Sequence, residues 1–138
     1  MNDMNCLHRI WLVFANESSC RHAESIAKLG YINWRMANNY HFSVGDIVYL
    51  YMSDEKRVRF KMLVEEKDCV RTDNAYWNIP PKEGLTYKLK YITEYNGNLL
   101  NLKSLQRYGF VNGRSIQNPS YKNTVLMNYI DSVFDSIV

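Results

Sequence analysis

Six consecutive apolar residues, IVYLYM at 47–52, stand just before RVRFKMLVEE at 57–66, where Val58, Phe60, Met62 and Val64 alternate with Arg59 and Lys61. Successive side chains of an extended chain point to opposite faces. The first segment therefore has to be covered on both faces and the second on one. That pair places a β-sheet, layered on both sides at its centre, at the heart of the fold. Within the covered strand, Tyr49 and Tyr51, with Ser53 just beyond, share one face and carry hydroxyls that need partners. Tyr49 reads as barrel filling with its hydroxyl at the rim.

RIWLVFA at 9–15 reads as a first strand, apolar on both faces and therefore central in the sheet, with Trp11 in the core. LTYKLKYITEY at 85–95 alternates Leu85, Tyr87, Leu89 and Tyr91 against Lys88 and Lys90. NESSCRHAESIAKLG at 16–30 begins as a turn and becomes helical at Ala23, Ile26, Ala27 and Leu29, with Gly30 as its stop. YINWRMANNYHF at 31–42 and DCVRTDNAYWNIPPKEG at 68–84 read as loops, rich in Asn, Pro and polar residues. Asn96-Gly97 marks a turn, and NLKSLQRYG at 101–109 a short helix ending at Gly109. From about Thr124, a stripe of Val125, Leu126, Tyr129, Ile130, Val133, Phe134 and Ile137 predicts a helix packed on the sheet. The expected architecture is α+β: a mixed or antiparallel sheet of about four to six strands, curling toward a pseudo-barrel and flanked by helices. One domain spans 1–138.

Cys6, Cys20 and Cys69 are odd in number and lack CxxC spacing, so they read as small buried residues of a reducing compartment. His8, His22 and His41 show no ligand spacing, and neither metal nor cofactor is expected. Six-residue apolar runs are too short for a bilayer span or a signal core, which gives a cytoplasmic expectation and no membrane partner. A net charge of +3 permits an anionic partner without demanding one.

No nucleophile elbow, phosphate-binding loop or zinc-protease motif occurs. Glu65 and Glu66 are adjacent, so they should point to opposite faces of a solvated strand end. The unusual feature is aromatic side chains in polar segments, Trp34 and Trp77. Each either folds back to plug the sheet or forms a flat wall for a planar ligand, the device used for unstacked bases.

In order, the opening WL strand, the helix, Trp34, the Gly45-Asp46 turn and the strand ending Tyr51-Met52-Ser53 resemble the EVE domain of the PUA-like superfamily, relatives of which include YTH and ASCH domains. AYWNIPPKEGLTYKLKYI at 75–92 is similar to the YTH arrangement of a loop Trp, a short Gly turn and a strand. The resemblance covers roughly residues 9 to 134, and the order of its short motifs carries it. It implies a curled sheet flanked by helices and a non-catalytic reader of a modified, by expectation methylated, base flipped from DNA or RNA. A restriction or defence setting, with an effector nuclease acting in trans, belongs to the same expectation.

Carried over by position, Trp34 and Trp77 are the cage, with Tyr76 as a substitute for the second wall; Ser53, which ends the strand, and Asn16, which follows the first one, are its polar members. Tyr51 joins them as an outer aromatic. Arg35, Lys82, Arg107 and Arg114 are the candidate phosphate contacts, Arg114 first. MSDEKRVRF departs from the pattern by lacking a Gly, and Asp54 and Glu55 add acid near the expected mouth. The alternative is an ASCH-like hydrolase of RNA or a small amide or nucleoside, with Tyr51, Lys61 and Glu65 as acid–base candidates. A protein-interaction domain using the last helix is a third class.

Overall fold

The computed structural model describes residues 9–38, 41–110 and 123–137. The elements are β1 (Ile10–Ala15), α1 (His22–Leu29), β2 (Tyr31–Arg35), β3 (Ile47–Met52), β4 (Arg57–Cys69), a 3-10 turn (Asn74–Tyr76), β5 (Thr86–Glu94), α2 (Leu102–Gln106) and α3 (Thr124–Asp135). The five strands form one mixed sheet in the order β1-β3-β4-β5-β2, curled into a half-barrel. β1 lies parallel to β3, Ile10 opposite Ile47 and Ala15 opposite Met52, whereas the other ladders are antiparallel. Parallel neighbours require a crossover, and the chain between β1 and β3 carries α1 and β2.

The doubly apolar strand sits where its composition demands, between β1 and β4. Val48, Leu50 and Met52 join Val13, Phe60 and Met62 in one core. Tyr49 and Tyr51 belong to a second core, with Leu12, Leu126, Ile130 and Phe134. α3 covers this second group with Leu126, Met127, Ile130, Val133 and Phe134 buried. The helical stripe departs from expectation at its flank, where Met127 is buried and Val125 is 62% exposed, and at its end, where Ile137 lies beyond the helix and is exposed. Period alone does not say which edge of a stripe faces the sheet.

The Gly-Asp turn ties β1 to β3. Gly45 takes φ 98, a left-handed value open to glycine. Asp46, 1% exposed, accepts from the backbone N–H groups of Arg9 and Ser43 and the indole N–H of Trp11 at 3.0, 2.8 and 2.9 Å. Trp11 is core, as expected. Gly30 ends α1 at φ 82, its N–H bonding to the Ile26 carbonyl. The glycine lacking after Ser53 is replaced in kind by Lys56, which takes φ 57, a conformation costing about 1–2 kcal/mol for an L residue.

Four expectations need correction. The first strand, β1, lies at an edge of the sheet and not at its centre. Its two apolar faces are covered by the two cores, Trp11, Val13 and Ala15 in one and Leu12 in the other, which does not require a neighbour on each side. Residues 31–35 are a strand paired with β5 and not a loop. β4 runs on to Cys69, so Glu65 and Glu66 are not a strand end. A register shift between Val64 and Glu66 brings both carboxylates to the Lys88 ammonium, at 3.4 and 3.9 Å. Cys20 is buried but Cys69 is only half-buried, and Cys6 lies outside the described residues. Among the described residues no helix is long and apolar enough to cross a membrane.

Candidate functional site

β2 owes its place to its edge. Asn33 is poor strand material by composition, yet its backbone N–H donates to the Asp73 carboxylate at 3.0 Å and its carbonyl accepts from the Arg71 guanidinium at 3.1 Å. Its side-chain amide donates to the Thr86 hydroxyl and accepts from the Thr72 N–H, both at 3.0 Å. An edge so capped offers little to another strand, and it pins the 71–73 segment beside β2.

Asp73 is fully buried and serves as the hub. It pairs with Arg71 at 2.8 Å and accepts from the Trp77 indole N–H at 3.2 Å, while the Arg71 guanidinium lies 4.7 Å over the Trp77 ring. A buried carboxylate is tolerated where every such partner is present. The backbone completes the clamp: Trp77 bridges Cys20, Asn78 N–H donates to Ser19 O at 2.9 Å, and Arg21 N–H to Tyr76 O at 2.7 Å.

These elements enclose a cavity of about 380 Å³ where the end of β1, the start of α1, β2 and the 77–82 segment meet. Trp34, Trp77, Phe14, Ile79 and Pro80 supply flat or apolar surface. Asn16, Ser19 and Asn33 supply polar edges, and Arg35, Arg71 and Lys82 positive charge. His22 also lines the cavity, its ring centroid 6.0 Å from that of Trp34 and 6.3 Å from that of Trp77. The two indoles thus flank one imidazole.

His22 is 6% exposed, and its Nδ1 lies 3.3 Å from a Glu17 carboxylate oxygen, an ion-pair distance that falls short of hydrogen-bond geometry. Burial works against the Glu17 charge, but the His22 side chain and the Ala23 N–H outweigh it and hold the carboxyl below its usual range. Nearby, burial first, then the charges of Asp73 and Glu17, push the Cys20 thiol up to about 12. It is no nucleophile at neutral pH.

Trp34, Trp77 and Asn16 are brought together at the cavity, with Arg35 and Lys82 beside them. Asn16 turns its carboxamide oxygen to the Ser18 N–H at 3.0 Å and the Ser18 hydroxyl at 2.7 Å. The Arg35 Nε–H donates to the Glu83 carbonyl at 3.2 Å.

The other candidates lie elsewhere. The Ser53 hydroxyl donates to the Ala15 carbonyl at 3.1 Å and lines no part of the cavity, correcting its pocket assignment. Tyr51 is fully buried in the core under α3, 5.0 Å from Phe14 and 5.2 Å from Phe110 by ring centroid. Its hydroxyl is buried without a hydrogen-bond partner among the described residues. Tyr49 donates its hydroxyl to Asp131 of α3 instead of reaching a rim. Tyr76 faces Arg21, whose guanidinium lies 5.7 Å from its ring, and does not line the cavity. Arg107 caps α2, away from the cavity. Arg114 falls outside the described residues.

Asp54 and Glu55 do not line the cavity either. Asp54 accepts from the Glu17 N–H at 3.4 Å, and Glu55 is matched by Arg57 and Arg59 at 2.8 and 2.9 Å. The acid–base candidates do not assemble. Tyr51 is shut under α3, and Glu65 is engaged by Lys88 and Lys90 at 3.4 and 3.7 Å. Among the described residues no hydrogen bond or ion pair joins Tyr51, Lys61 or Glu65 to another of the three.

Sequence reasoning missed His22, Glu17, Arg71 and Asp73. The one local signal for the hub was Asp73 standing four residues before Trp77, with Arg71 two before it, at a turn-prone Asp-Asn pair. The fold and site together define a small α+β half-barrel with an aromatic, cation-rimmed pocket. Comparison with protein-family models, curated proteins and solved structures returned no match.

Proposed function

We propose that this chain is a non-catalytic, EVE-like module of PUA-like fold that takes a single modified nucleobase, flipped from DNA or RNA, between Trp34 and Trp77. The observation that carries the reading is the cavity of about 380 Å³ shared by two indoles, with Arg35 and Lys82 at the same opening. That volume lies at the small end of ligand pockets, roughly 300–1,000 Å³, suited to one heterocycle. Trp77 is fixed by backbone and by Asp73, so a stacking surface exists before any ligand arrives. A second hollow of about 270 Å³ shares Arg71, Pro81 and Lys82 with the first and offers room for a flanking nucleotide.

Stacking is worth roughly 1–3 kcal/mol per base, and extrusion from a duplex costs a few kcal/mol. Two walls therefore supply a part of the millimolar-to-micromolar affinity a single-nucleotide site can reach, and phosphate contacts must supply the rest as a salt-dependent share. The module works in the cytoplasm, methylation is the modification read, and any cleavage belongs to an effector in trans.

The test is titration of matched oligonucleotides, with and without the modified base, followed by tryptophan fluorescence or calorimetry. Wild type is expected to discriminate, and folded Trp34→Ala and Trp77→Ala variants to lose discrimination. Discrimination unchanged in both variants rejects the cage.

A further inference from the structure

Among the described residues His22 is the one imidazole at the cavity, and its two nitrogens are in different situations. Nδ1 is buried and turned to Glu17 at 3.3 Å. Nε2 has no hydrogen bond among the described residues and is not fully buried, on a side chain that lines the cavity. We propose that His22 is the specificity-determining residue of the pocket, its Nε2 accepting a hydrogen bond from an exocyclic amino group of the bound ring, and Glu17 its positioning residue. This rests on the base-binding reading above and adds which ring edge is read.

The chemistry follows from the carboxylate. Glu17 is held below its usual range and so is ionised at neutral pH. An ionised carboxylate only accepts, so the nitrogen facing it carries the proton. In the neutral ring the lone pair is then on Nε2. A lone pair in the pocket pairs with an amino N–H, as on cytosine or adenine, and is left facing a carbonyl oxygen when the ring is thymine or hypoxanthine. Among the other polar edges, the Ser19 hydroxyl can both donate and accept and so does not distinguish an amino group from a carbonyl. The Asn33 carboxamide is occupied by Thr86 and Thr72, and the Asn16 oxygen by Ser18. A buried polar group left facing the wrong partner loses more than a good hydrogen bond gains, and discrimination of about tenfold or more follows.

Two pairs of single-stranded oligonucleotides decide it, identical except for one central base: 5-methylcytosine against thymine, and N6-methyladenine against hypoxanthine. In each pair one ring presents an amino group where the other presents a carbonyl. Wild type is expected to favour the amino member of at least one pair about tenfold. His22→Phe keeps a ring beside the indoles and should bring that ratio within about twofold while binding persists. ¹⁵N spectra of the histidine-labelled protein, with His22 assigned from the His22→Phe spectrum, should show the neutral ring protonated at Nδ1. Glu17→Gln should populate the Nε2-protonated form and erode the preference. A preference unchanged in folded His22→Phe, a carbonyl preference in wild type, or a wild-type neutral ring protonated at Nε2 overturns the inference and leaves base binding standing. Failure of all four oligonucleotides to bind rejects base binding itself, and the inference with it.

Discussion

Two ring clusters in this protein are held by opposite means. Under α3, Tyr49 packs on Phe134 and Tyr51 on Phe14 and Phe110, with centroids 4.9, 5.0 and 5.2 Å apart. At the cavity, Trp34 and Trp77 each meet His22 at 6.0 and 6.3 Å and leave about 380 Å³ open. The first cluster needs only matched volume, because dispersion and burial hold rings that touch. The second must keep rings apart, which packing cannot do. A buried Asp73, its Arg71 partner and backbone bonds to Ser19 and Arg21 take that role. An open aromatic site is thus paid for in polar groups some distance along the chain.

That contrast can be broken from either side. The largest effect is expected at the packed cluster: Phe134→Ala should cost about 3–5 kcal/mol by denaturant unfolding, with ligand affinity of the folded fraction unchanged. Asp73→Ala should cost about 3 kcal/mol, because it leaves Arg71 buried and unpaired. Unlike the first variant, it should also alter Trp77 fluorescence and weaken base binding. A normal Trp77 signal in a folded Asp73→Ala protein would contradict the hub.

Extremes of pH separate the two clusters. Burial and the Asp131 bond raise the Tyr49 pKa far above its ordinary 10.0. The stability this represents is full below pH 10 and falls as the unfolded tyrosine ionises above it. Tyr49→Phe should flatten that alkaline slope of the unfolding free energy. Glu17 is lowered from 4.5, so its share is present above that value and is lost as pH falls through and below it. Glu17→Gln should remove that acid-side slope. The smallest effect sharpens the packed side. Tyr51→Phe deletes a buried hydroxyl with no described partner and should be neutral or stabilise by up to about 1 kcal/mol, leaving ligand binding intact.

Much of the sheet was legible in the chain. Alternation located β4 and β5, the doubly apolar run marked β3 as covered on both faces, and Gly30 marked the end of α1, since these signals are local and periodic. The same signal in β1 suggested a central strand where the sheet has an edge. Trp34 and Trp77 stood out because indoles in polar segments lack an obvious core, and both line the cavity. Trp34 nonetheless sits on a strand. The edge of β2 is satisfied by residues about forty positions away, Asp73 to the Asn33 N–H, and no window around Asn33 contains them. Tyr51 and Ser53 were assigned to the pocket from a shared face, but a period of two says which residues share a face and not what lies against it. His22 gave no signal, because its meaning depends on Glu17 and two indoles meeting it in space.

Residue order alone determined that this chain forms an α+β sheet with two strands covered on both faces, since burying apolar side chains at period two or 3.6 leaves few other solutions. Tertiary structure alone decided which aromatic face would close and which would stay open. Closure depends on where α3 and the Asp73 segment come to rest, and those contacts join positions tens of residues apart whose pairing carries no local periodicity.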